Sequence, residues 1–146
     1  MLNKIVILVI TFIFISLSGC ANLNDVVQAK ESGKEGIAKS YAVGADQAWE
    51  VAKTVFRWEG SDTIEEHKNE GYMLTSSGVN GYSYGTVMGA WIKPIDNNHT
   101  EVTIITKRRI QTDIFTTLTE STYHDRFAQA VDIMNKGKNL PRVAPK

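Results

Sequence analysis

The chain has 146 residues, and 16 Lys and Arg balance 16 Asp and Glu. A chain of zero formal charge has no global field to draw in nucleic acid or acidic partners, so no nucleic-acid partner is expected. Its one cysteine excludes an internal disulfide and a cysteine-based zinc centre.

The N-terminus is the most apolar part of the sequence. Lys4 supplies a positive charge, and residues 5–17, IVILVITFIFISL, are apolar apart from Thr11 and Ser16. A charged start, an apolar run of about 7–15 residues and a group of small residues describe an export signal. The run falls short of the roughly 20 residues that cross a bilayer. Residues 1–19 are therefore set apart from the fold. The sole cysteine, Cys20, follows at once.

Leu17-Ser18-Gly19-Cys20 resembles the lipobox of bacterial lipoproteins. The resemblance implies cleavage before Cys20 and acylation of its thiol and of the new amine. Two or more acyl chains give stable anchoring where one gives only marginal binding. Ala21 stands where an aspartate would imply retention at the inner membrane. The implied location is thus the outer membrane, facing the periplasm.

Residues 20–36 continue as a polar stretch ending in Gly, Lys, Glu and Ser, which reads as a flexible tether. Extended, it would reach roughly 50 Å. Residues 37–43 alternate Ile37, Lys39, Tyr41 and Val43 on one face and predict a first strand. In GADQAWEVAKTVFRWEG, residues Ala48, Trp49, Ala52, Val55 and Phe56 make one helical stripe. Asp46 suits its first turn and Gly60 its end.

Residues 62–67 and 72–77 flank KNEG and predict a hairpin. A loop is expected over SGVNGYSYG, then strands at 86–93 and 101–110. Tyr123, Phe127, Ala130, Val131 and Met134 form the stripe of a last helix, with Thr119, Ser121 or Thr122 as its cap. Residues 135–146 carry Lys136, Lys138, Arg142 and Lys146 and no acid, a basic tail expected to be disordered.

The order β-α-β-β-β-β-α implies an α+β domain over residues 37–134. Two layers are expected: an antiparallel sheet of about five strands with two helices on one face. That order, behind a lipobox, resembles small lipoproteins of unknown function. It is more weakly similar to the helix-grip domains of a lipoprotein of the outer-membrane barrel-assembly machine. The likeness carries no catalytic motif.

Chemistry is sparse. His67, His99 and His124 share no ligand spacing and are expected to be exposed polar residues, so no metal is expected. The glycines of GVNGYSYGTVMG fit neither a phosphate loop nor a dinucleotide fingerprint. No serine stands in a nucleophile motif. The expectation is therefore no enzyme and no cofactor. Candidate contacts are Tyr82 and Tyr84 on the glycine-rich loop, and Lys107 with Arg109 on one strand face. The reading is a lipid-anchored, non-enzymatic accessory module that meets other envelope proteins. The alternative is a small-molecule or lipid binder with a pocket between helices and sheet.

Overall fold

The computed structural model describes residues 20–61, 63–79, 84–110 and 119–146, with the side chains of residues 78, 79 and 84 outside that description. Five strands make one sheet: β1 (Ile37–Tyr41), β2 (Ile64–His67), β3 (Tyr72–Val79), β4 (Tyr84–Pro94) and β5 (Thr100–Arg108). Their order is β1-β5-β4-β3-β2, antiparallel throughout. Strands β2 to β5 follow one another across the sheet. The first strand closes the far edge, with Ile37 opposite Ile104.

Two helices cover one face, as the apolar stripes predict: α2 (Ala45–Trp58) and α3 (Glu120–Asn135). Helix α2 buries Ala48, Trp49, Val51, Ala52, Val55 and Phe56. In α3, Tyr123, Phe127, Ala130 and Val131 are buried, and the Thr119 hydroxyl caps the helix by accepting from the Thr122 N–H at 3.3 Å. Met73, Met88 and Ile104 on the strands complete this core. The rings of Phe56 and Tyr123 lie 5.0 Å apart, and the Tyr123 hydroxyl donates to the Ala52 carbonyl at 2.9 Å. Burying side chains of this size is worth about 1.5–3 kcal/mol each.

Three expectations change. Residues 20–36 are not a flexible tether throughout, because Leu23–Ser32 forms a helix, α1, on the opposite face of the sheet. Its start is well capped. Asn22 Oδ1 accepts from the Asn24 N–H at 2.8 Å, and Asp25 Oδ2 accepts from the Asn22 N–H at 2.6 Å. Val26 and Ala29 are buried against Leu74, Val87 and Ile105. Gly89 permits the approach, since a Cβ there would stand 2.9 Å from Val26 and 2.5 Å from the Trp91 ring.

The basic tail also has structure. Leu140 packs on the main core, Trp58 Nε1 donates to the Pro141 carbonyl at 2.9 Å, and Arg126 donates to the Pro145 carbonyl at 2.9 Å. Finally, the stretch expected as a loop is mostly hairpin. Strand β3 runs to Val79 and β4 begins at Tyr84, leaving only residues 80–83 between them. No described helix is long and apolar enough to cross a membrane.

Candidate functional site

The sheet face under α2 and α3 changes character along its length. On β4 it runs through Ile92, Ala90 and Met88, all buried and apolar, and then reaches Thr86. Opposite Thr86 on β3 stands Ser77, and two residues before it Thr75. All three are buried. The Thr75 hydroxyl donates to the Thr63 carbonyl at 2.6 Å. The Ser77 hydroxyl, 4% exposed, has no hydrogen-bond partner among the described residues. Ser61, just before β2, carries a second buried hydroxyl in the same condition. Ile64 pairs with Thr75, so Ser61 lies toward the same end of the sheet. An orphaned buried hydroxyl costs about 1–3 kcal/mol. Two such hydroxyls at one end of the sheet make it the candidate binding end.

The rim of this end is charged. Arg108 pairs with Thr86 across β5 and β4, so it leaves the sheet on the same face, and it is exposed. Glu120, the first residue of α3, accepts from the Thr106 N–H at 2.8 Å. The middle of the helix-over-sheet groove, expected as a contact surface, is filled instead. Phe56, Tyr123, Phe127, Met73 and Met88 are fully buried there.

The predicted site residues do not converge. Cys20 is exposed, and the N–H of Ala21 donates to the Arg109 carbonyl at 2.9 Å. Arg109 follows directly on β5. Lys107 is held by Glu35, with Nζ 2.6 Å from Oε2. Tyr82 lies outside the described residues. Tyr84 opens β4, with its side chain outside the description. Arg108, passed over in favour of its neighbours, is the basic residue that the register places beside the hydroxyls.

The histidines are separate as well. His124 is buried, not exposed as expected. Its Nε2 lies 2.9 Å from the Ile37 carbonyl, which can only accept, so Nε2 carries the proton. Nδ1 then accepts from the Tyr41 hydroxyl at 2.7 Å. Burial holds the His124 imidazole below its ordinary pKa, against the opposing pull of the Ile37 bond. The pair clasps α3 to β1. No signal near position 124 reveals this, because its partners are 83 and 87 residues away.

His67 contacts Glu65 at 2.7 Å and stacks on Tyr72, which stacks on Trp91. It lines a shallow surface cleft of about 340 Å³ with Glu66, Lys68, Asn69 and Glu70. His99 stays with Asp96 in the β4–β5 turn. Among the described residues no three His, Cys, Asp or Glu side chains gather to hold a metal ion. A second cleft, of about 400 Å³, lies between α2 and the C-terminal segment, lined by Thr54, Arg57, Leu140, Pro141 and Arg142.

No family model and no curated protein matches the chain. Among solved structures it is similar to norcoclaurine synthase from Thalictrum flavum in complex with dopamine and hydroxybenzaldehyde. That match has 11% identity and a TM-score of 0.43, over 73% of this chain and 91% of that one. It is also similar to a START superfamily protein from Mycobacterium smegmatis, at 8% identity and TM-score 0.34, over 70% and 92% of the two chains. A third is the Zhui aromatase/cyclase from Streptomyces sp. R1128, at 16% identity and TM-score 0.28, over 70% and 85%. These are distant likenesses of architecture. They overturn one expectation: a synthase and a cyclase stand among the chain's neighbours, so the missing catalytic motif does not make it a non-enzyme.

Proposed function

We propose that the protein is a small-molecule-binding domain held at a bacterial envelope membrane by acyl chains on Cys20. The observation that carries the binding part is the buried Ser77 hydroxyl without a partner among the described residues. It stands at the hydroxyl-lined end of an otherwise apolar face, with Met88 next along the strand from Thr86 on that face. A few placed polar groups at the rim of a packed apolar face suit a ligand that presents a polar end. The anchor part rests on the lipobox, and Ala21 favours the outer membrane. Other envelope proteins enter as partners at that membrane, although the long reach of a tether is no longer part of the mechanism.

The test is native mass spectrometry of the protein purified from its own envelope fraction, beside Ser77→Ala and Cys20→Ala. The wild type is expected to carry a bound small molecule. Ser77→Ala is expected to lose it and to melt at a higher temperature, because a buried orphan hydroxyl is gone. No bound molecule, together with a Ser77→Ala variant that is less stable, would make the serine structural and end the binding reading. Cys20→Ala is expected to lose the acyl mass and remain unprocessed.

A further inference from the structure

The geometry points to a phosphate group as the polar end of the ligand, presented by a lipid of the membrane that anchors Cys20. This rests on the binding reading above. Ser77, Thr86 and Arg108 form one row across three strands, because Ser77 pairs with Thr86 and Thr86 with Arg108. Directly paired residues of antiparallel strands project from the same face, with Cβ atoms about 4.5–5.5 Å apart. The row therefore carries two hydroxyls and an arginine on one face, with Thr86 between Ser77 and Arg108. A guanidinium offers a planar fork of donors that matches phosphate oxygens, and hydroxyls add neutral donors.

The cation is available. Among the described residues Arg108 makes no ion pair, whereas Lys107 is held by Glu35 and Arg126 by Glu59. The carboxylate on the rim, Glu120, is turned to the Thr106 N–H. The Ser77 hydroxyl is the donor that still lacks a partner.

The second observation fixes where the ligand comes from. A chain of backbone hydrogen bonds joins the anchor to the row. The Ala21 N–H donates to the Arg109 carbonyl at 2.9 Å, and the Arg109 N–H donates to the Gly85 carbonyl at 3.0 Å. Gly85 precedes Thr86, and Cys20 precedes Ala21. Acyl chains on Cys20 thus leave the domain at the end of the sheet that carries the row. The polar end of the site meets the head-group layer, and a phospholipid can enter it without crossing open water.

The experiment uses residues 20–146 with Cys20→Ser, since every described element lies within them. Calorimetric titration compares three probes: dihexanoylphosphatidylglycerol below its micelle concentration, glycerol phosphate, and uncharged dihexanoylglycerol. The phospholipid is expected to bind tightest. Arg108→Ala is expected to weaken it roughly tenfold or more, as for a charge-assisted contact, and Arg108→Lys to restore part of that. Phospholipid binding that is unchanged in Arg108→Ala overturns the inference. Glycerol phosphate binding as tightly as the phospholipid overturns its lipid part and makes free phosphate the source. Dihexanoylglycerol binding as tightly as the phospholipid, and lost in Ser77→Ala, overturns the phosphate but keeps the binding site. No binding of any probe overturns both readings.

Discussion

The two faces of the sheet are covered in different ways. On one, α2 and α3 bury Phe56, Tyr123 and Phe127 against Met73, Met88 and Ile104. On the other, α1 lays Val26 and Ala29 on Leu74, Val87 and Ile105, and it comes close only because residue 89 has no side chain. The first face is a thick core of large side chains. The second is a thin one, made by a helix of 10 residues that sits near the chain's start. An isolated helix of that length is marginal in water, so α1 takes its order from the sheet. The thick face supplies the stability, and the thin one fixes where Cys20 sits.

The sharpest break of this contrast is Phe127→Ala. It is expected to cost about 3–5 kcal/mol in denaturant unfolding, as truncation of a fully buried aromatic does. Gly89→Ala should cost less, about 1–3 kcal/mol, through overpacking against Val26 and Trp91. Hydrogen exchange is expected to rise over residues 23–32 while α2 and α3 stay protected. Equal loss of protection in all three helices would show that the faces are one cooperative unit.

Tyr41→Phe removes a hydroxyl that donates to His124 Nδ1, at an expected cost of about 1 kcal/mol. The same clasp predicts a pH dependence. His124 is held neutral below its ordinary pKa, so the unfolded chain binds a proton first as pH falls. Stability is therefore full above about pH 6.5 and declines below it until the folded imidazole also titrates. Unfolding midpoints at pH 7 and pH 5 measure this, and His124→Gln is expected to remove the step. The smallest effect belongs to Lys107→Ala. Its pair with Glu35 is partly solvated, so the change should stay below about 1 kcal/mol.

The thick face was legible in the sequence because a long helix on a core repeats its apolar residues every turn. Ala48, Trp49, Ala52, Val55 and Phe56 declare it, and so do Tyr123, Phe127 and Val131. Helix α1 was not legible. Val26 and Ala29 are too few to stand out among Asn24, Asp25, Gln28 and Lys30. Its order comes from a surface built by residues 74, 87 and 105. The row of Ser77, Thr86 and Arg108 was hidden for a related reason. Each residue is ordinary alone, and only the pairing register makes them neighbours. A glycine-rich stretch read as loop cannot announce that register.

The position of β1 has a consequence for timing. Ile37 pairs with Ile104 and Tyr41 with Thr100, so the first strand has no sheet partner until nearly the whole domain is present. Such distant pairing folds slowly, since a long loop must close before any contact rewards it. A chain synthesised N-terminus first would thus emerge with its first strand unmatched. The sheet would lock only after β5 had followed.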